Sequence, residues 1–240
     1  MTEHHHAQTD LIHAPRQAPQ YIETIQPPLF RASTIIFNST THLFDRHWSD
    51  AYDYSYGTHG TPTTFTLGDN IAQLEGGTNC LLAPSGLSAI NLVNSTFLKS
   101  GDEVWIADNS YGPNLEHLKN LQERYGILLK IYNPVDADSF QPSEKAKLIW
   151  LEAAGSVTLE FPDVKKIVKK ARQANVLTAL DNTWGAGLAF NAFDFSDEHL
   201  AVDMTVHALT KYPSGGGDIL MGSVVTRDQH LHHQLYRMHA

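Results

Sequence analysis

The chain has a single cysteine, Cys80, in 240 residues. One thiol allows no internal disulfide and no cysteine-based zinc cluster; the expectation is a buried strand thiol in a reducing setting. No apolar run approaches the roughly 18 residues that span a bilayer, and residues 1–20 carry no signal-peptide core. The chain is therefore expected to be cytoplasmic, with no membrane partner. Basic residues are scarce, 17 Lys+Arg against 26 Asp+Glu, for a formal net charge of −9. That balance argues against a nucleic-acid partner, which would need a basic face, but it leaves room for a local phosphate site. Histidines cluster at His4–His6 and at His230, His232 and His233, yet none falls in an H-E-x-x-H spacing, and no metal is expected. There is no internal repeat and no long low-complexity stretch.

What is present is an ordinary globular composition, 42% hydrophobic and 18% charged, in a chain long enough for its own core. Residues 1–20 are polar and read as a mobile arm. Residues 21–66 are rich in aromatics (Tyr21, Phe30, Phe37, Phe44, Trp48, Tyr52, Tyr54, Tyr56, Phe65) without helical or strand periodicity. Such a segment has to pack elsewhere, on its own domain or on a neighbouring subunit. From residue 67 helices and strands alternate. Helices are predicted over 67–76 (ended by Gly76-Gly77), 87–98, 113–124 and 163–174. Strands are predicted over 79–83, 102–107, 127–132, 147–152, 176–181, 203–207 and 219–226. In the helix over 163–174, Val164, Ile167, Val168 and Ala171 share one face with lysines opposite. The alternation predicts an α/β fold, a mostly parallel seven-stranded sheet flanked by helices. Residues 1–66 form an arm and contact segment, and 67–240 the main domain.

In such sheets ligands bind beyond the carboxyl ends of the strands. Four of those ends carry suggestive residues. Pro84-Ser85-Gly86-Leu87 turns from a strand into a helix, where free amides can cradle a phosphate, although alone it is only a turn. Tyr111 follows the strand over 102–107 and can stack on a flat ligand or serve the fold. Asp181 ends a very apolar strand, where a carboxylate is costly unless paired, or caps the next helix. Lys211, in Thr210-Lys211-Tyr212, sits among apolar neighbours that lower an amine's pKa, or is a snorkelling side chain. Glycine turn, aromatic, carboxylate and lysine, in that order, is the arrangement expected of a pyridoxal phosphate site.

Carried by these residues, the sequence resembles the fold-type I pyridoxal-phosphate-dependent enzymes of cysteine and methionine metabolism, an aspartate aminotransferase-like fold. The resemblance runs from about Ile25 onward. Its motifs are Tyr56-Gly57-Thr58-His59-Gly60-Thr61-Pro62-Thr63, Leu74-Glu75-Gly76-Gly77, Pro84-Ser85-Gly86, Asp181-Asn182-Thr183 and Thr210-Lys211-Tyr212. Two segments, 152–160 and 181–187, look most like the cystathionine β-lyase branch. The resemblance implies that Lys211 is the Schiff-base lysine, Asp181 the partner of the pyridine nitrogen and Tyr111 the ring-stacking tyrosine. It also implies that the amides of Gly86 and Leu87 and the hydroxyl of Thr210 hold the phosphate. Tyr56 matches a tyrosine that reaches into the neighbouring subunit's site, which implies a homodimer, usually assembled as a homotetramer.

Two departures stand out against the same motifs. Thr58 stands where the family carries a phosphate-binding arginine, and His59 is next to it. The family also continues into a C-terminal small domain whose arginine holds the substrate carboxylate. No arginine here matches it, so the expectation is a truncated cofactor domain. The reaction implied is β-elimination of the amino-acid substrate L-cystathionine to homocysteine, pyruvate and ammonia. The alternatives are a γ-specific member, a cystathionine γ-synthase or γ-lyase, and a non-catalytic remnant that only binds pyridoxal phosphate or dimerises.

Overall fold

The computed structural model describes residues 27–45, 54–196 and 200–239. The arm over 1–20, with His4–His6, and the aromatics Tyr21, Trp48 and Tyr52 lie outside the described residues.

Seven strands form one sheet: β1 (Asn79–Ala83), β2 (Glu103–Ala107), β3 (Leu128–Tyr132), β4 (Ala146–Glu152), β5 (Leu177–Asp181), β6 (Met204–His207) and β7 (Gly222–Thr226), in the spatial order β1-β7-β6-β5-β4-β2-β3. All seven fall where the sequence predicts strands. β7 runs antiparallel to both its neighbours and the other pairs are parallel. The strand predicted from 219 starts at Gly222, because the pairings end there: Gly222 faces Ala83 and Ser223 faces His207. Residues 219–221 lie outside any strand or helix. Since β7 alone is reversed, the carboxyl ends of β1, β2, β4, β5 and β6 open on one edge.

The helices are α1 (Thr40–Phe44), α2 (Pro62–Glu75), α3 (Gly86–Phe97), α4 (Gly112–Tyr125), α5 (Val164–Gln173) and α6 (Gln229–His239). α2 begins at Pro62 rather than 67. Thr61 is its N-cap, Pro62 occupies the first turn, and Thr61 and Thr64 form a reciprocal capping box. Phe65 is the one large apolar residue in the stretch 62–66, so hydrophobic periodicity does not reveal it as helix, whereas the Thr-Pro cap signal does. Gly76 closes the helix at φ 81°, a left-handed conformation that glycine adopts without strain. In α5, Ile167, Val168 and Ala171 are fully buried as the periodicity requires, with Val164 at the margin. α1 and α6 have no counterpart in the sequence prediction; α6 shows Leu231 and Leu235 buried but its histidines mask the stripe.

Two cores lie on opposite faces of the sheet. One packs Ile71 and Ala72 of α2 and the buried stripe of α5 against Ile149, Leu151 and Leu180. The other packs Ile90, Val93, Leu118 and Leu231 against Leu148, Trp150 and Ala179. Alternate residues of β4 and β5 thus enter alternate cores, the period-2 rule of a strand buried on both sides. Cys80 sits on β1 against Gly68 of α2, and burial pushes its thiol well above the ordinary range, consistent with an inert strand thiol. The aromatic segment folds partly onto α2. Thr63 Oγ1 accepts the Phe30 N–H at 2.7 Å, Tyr54 meets Phe65 at 5.7 Å between ring centroids, and Thr34 and Tyr56 form an isolated bridge. Leu29, Ile36 and Phe44 of this segment remain exposed.

Candidate active site

The open strand edge holds a cavity of about 830 Å³. Its floor is the turn from β1 into α3. Ser85 caps α3, its Oγ accepting the Ser88 N–H at 3.0 Å. Gly86 and Leu87 line the cavity from the helix's first turn, where N–H groups have no intrahelical partner. A Cβ on Gly86 would stand 2.7 Å from the Ala208 Cβ, and one on Gly222 would stand 2.3 Å from the Ser85 carbonyl oxygen. These two glycines let the turn, the loop after β6 and the start of β7 close up on one another.

Asp181 ends β5 on the cavity wall. Its Oδ1 accepts both the hydroxyl of Thr183 at 2.6 Å and the Thr183 N–H at 3.1 Å. Thr183 Oγ1 in turn accepts the Ala208 N–H at 3.0 Å, tying the carboxylate to the loop that bears Lys211. No helix comes directly after Asp181, so it caps a turn rather than a helix. Burial raises its pKa, opposed by the two Thr183 hydrogen bonds and by His207, while Glu75 adds to the rise. Lys211 lines the cavity from a tight turn closed by its own N–H on the Ala208 carbonyl, at 2.9 Å. Thr210 lines it too, but its hydroxyl is engaged with the backbone of Met221, donating to the carbonyl at 3.3 Å and accepting the N–H at 3.2 Å.

Tyr111 stands at the start of α4, half-exposed at the cavity wall. It lacks a side-chain cap; instead its N–H is taken by Glu152 Oε2 at 2.7 Å. Glu152 is the last residue of β4, paired in register with Asp181, and only 5% exposed. Burial, then the neighbouring Asp181, pushes its pKa up to about 8, against the pull of the Tyr111 N–H and Ser156. On the opposite face of the sheet, the buried Glu75 carboxylate accepts from Asn182 Nδ2 at 2.8 Å and lies 2.7 Å from His207 Nδ1.

The fold therefore brings Gly86, Leu87, Tyr111, Asp181, Thr210 and Lys211 to one cavity. Tyr56 is not on its wall and is 46% exposed. His59 also lies elsewhere, with its Nδ1 2.8 Å from Ser55 Oγ and its ring 6.3 Å from that of Tyr236. The sequence reading missed Glu152 and Thr183 as individual contributors. The signal for Glu152 was the same as for Asp181, a carboxylate ending an apolar strand. Among the described residues no histidine, cysteine or carboxylate cluster is arranged to hold a metal.

The donor set fits pyridoxal phosphate: helix N-terminal amides for a phosphate, a buried carboxylate for a ring nitrogen, an aromatic ring, and an amine for the aldehyde. A family model described as Cys/Met metabolism PLP-dependent enzyme matches residues 8–240. The chain belongs to that family. The family's cofactor is pyridoxal phosphate, and its fold-type I large domain is the fold seen here. Cystathionine β-lyase of Haemophilus influenzae is 33% identical over 226 residues, 90% of this chain and 55% of that protein. L-alanine/L-glutamate racemase of Wolbachia pipientis is 31% identical over 91% of this chain and 56% of its own length. The solved cystathionine γ-synthase of Xanthomonas oryzae pv. oryzae, a complex with aminoacrylate and cysteine, superposes with a TM-score of 0.84. It is 26% identical, over 98% of this chain and 58% of its own. The chain thus spans about half the length of the relatives it matches.

Proposed function

We propose that the chain is the cofactor-binding part of a carbon–sulfur lyase that removes homocysteine from L-cystathionine by β-elimination. The observation that carries the reading is the meeting of Lys211, Asp181, Tyr111 and the start of α3 around one cavity. Bound pyridoxal phosphate supplies an electron sink conjugated to the substrate's Cα. Gly86 and Leu87 hold its phosphate through their N–H groups. Thr210 reaches the phosphate only by giving up its bond to Met221. The ionised Asp181 carboxylate holds a proton on the ring nitrogen, and Tyr111 covers the ring. Lys211 would be the attachment point, and its free amine would take the Cα proton as a general base. The Cβ–S bond then breaks and homocysteine leaves as a thiolate. The remaining three-carbon fragment hydrolyses to pyruvate and ammonia.

Tyr56 fits this reading as a residue given to the neighbouring subunit's site in a homodimer, since it is exposed and lies outside its own cavity. Mixing Tyr56→Phe with Lys211→Ala subunits then restores activity, because one hybrid site keeps both groups. No recovery after confirmed subunit exchange overturns the role.

The racemase relative supports a second reading, in which the Cα proton is removed and returned without loss of a side-chain group. The γ-synthase neighbour supports a third, with chemistry at Cγ. Product analysis after incubation with cystathionine and with L-alanine separates them: pyruvate for β-elimination, 2-oxobutyrate for γ-elimination, D-alanine for racemisation. Pyruvate as the main product upholds the proposal, and either of the others replaces it.

A further inference from the structure

Glu152 is a buried carboxyl group to which neither the motifs nor the reaction above gives work. It ends β4, and its in-register neighbour across the parallel pair is Asp181. Parallel neighbours in register present their side chains on the same face, with strands about 4.8 Å apart, and both line the same cavity. Glu152 is the more buried, at 5% exposure. Two carboxylates so placed cannot both ionise cheaply, because each is desolvated and each repels the other. Their surroundings differ. Asp181 accepts two hydrogen bonds from Thr183 on one oxygen. Glu152 is held by a single backbone donor, the Tyr111 N–H on Oε2, with Ser156 nearby on the loop after β4.

We propose that Glu152 is a positioning residue of this site: it anchors the backbone of Tyr111 at the cavity wall and stays protonated beside Asp181, so that Asp181 carries the wall's negative charge alone. This rests on the reading of the cavity as a pyridoxal phosphate site. The anchor acts where α4 lacks a cap of its own, so the direction in which Tyr111 leaves the sheet edge depends on the Glu152 oxygen. The proton placement suits a cationic ring nitrogen, which needs one full counter-charge. It also spares an anionic phosphate group a second carboxylate in the same cavity. The groups around Glu152 agree. Asp181 on β5 is acidic, and Tyr132 on β3 is buried and held un-ionised. Lys211, from the loop after β6, is the basic group on the same cavity wall. The titration of Glu152 is displaced to about 8, by burial first and by Asp181 second.

The test uses the cofactor-free chain of residues 1–240, so that it does not depend on pyridoxal phosphate. Difference infrared spectroscopy over pH 6–9.5 should show a carboxylic-acid C=O band that disappears with a midpoint near 8. The band should be absent from Glu152→Gln. Hydrogen exchange at the Tyr111 amide should be slow in the wild type. It should stay slow in Glu152→Gln, whose amide oxygen still accepts, and rise at least tenfold in Glu152→Leu. Absence of the band overturns the proton placement, and unchanged Tyr111 protection in a folded Glu152→Leu overturns the anchor. Should Glu152→Leu not fold, the infrared titration of the wild type and Glu152→Gln still decides. Failure of the cofactor reading shows separately, as no borohydride-trapped adduct on Lys211 in the wild type. If that adduct forms while the band and the protection are missing, the inference about Glu152 alone is wrong.

Discussion

The hydroxyl of Thr183 donates to Asp181 Oδ1 at 2.6 Å and accepts the N–H of Ala208 at 3.0 Å, so one side chain couples the acidic wall of the cavity to the lysine loop. A hydrogen bond to a charged group contributes about 1.5–3 kcal/mol. Thr183→Ala should therefore weaken pyridoxal phosphate binding by about tenfold or more, while Thr183→Ser, which keeps the hydroxyl, should recover most of it. Equilibrium titration followed by visible absorption reads both. Equal affinity in the wild type and Thr183→Ala would show that the coupling has no part in holding the cofactor.

Lys211 should be the covalent attachment point. It is the only basic side chain among the described residues that line the cavity. Borohydride treatment of the chain with pyridoxal phosphate should leave the phosphopyridoxyl group on the peptide containing Lys211, identified by mass spectrometry. Lys211→Ala should leave none. A trapped group on another lysine in that variant would displace the assignment.

The stability of the cofactor-free chain should fall as pH rises from 6.5 to 8. Glu152 titrates near 8 when folded, against an ordinary value of 4.5, so between those limits the folded state holds a proton that the unfolded chain has lost. The slope from this group is negative, at most about 1.4 kcal/mol per pH unit. His232 acts the other way. Burial, aided by His233, depresses it to about 4 from 6.5, so its contribution is present above 6.5 and is lost as pH falls through that window. The two slopes oppose each other between 4.5 and 6.5, and the descent due to Glu152 emerges above. Thermal denaturation of Glu152→Gln at pH 6.5 and 8.5 should lack the wild-type loss; an equal loss would exclude Glu152 as its cause.

Turnover of cystathionine by the polypeptide 1–240 should be slow. No arginine is among the described residues lining the cavity, so a substrate carboxylate meets no bidentate guanidinium there. Losing such a clamp, and the orientation it gives, costs on the order of 3 kcal/mol of barrier, which is about a hundredfold in rate. Pyruvate release at a rate comparable to that of intact lyases would show that another group on this chain orients the substrate.

Much of the fold was legible in the amino-acid order because its elements are locally consistent. The stripe of Ile167, Val168 and Ala171, the Gly76 cap and the apolar runs of β4 and β5 each state their structure within a few residues, since helix and strand periods are properties of neighbours along the chain. The motif residues were legible only through their order along the chain, since each alone also reads as a turn, a cap or a surface side chain; the fold adds that Gly86, Tyr111, Asp181 and Lys211 line one cavity. What local sequence could not state is what depends on partners distant along the chain. The reversal of β7 is decided by its pairing with β1 and β6, and the start of β7 at Gly222 by where that pairing ends. The helix α6 is hidden by histidines whose burial only packing assigns. Glu152 and Asp181 lie 29 positions apart in the sequence, and only the parallel register of β4 on β5 makes them neighbours with unequal claims to a proton. Thr183 and Ala208 likewise meet only once the sheet closes. Charge placement in this cavity is thus a tertiary property: desolvation and like-charge repulsion act through space, and they differ between two carboxylates that read alike in the sequence.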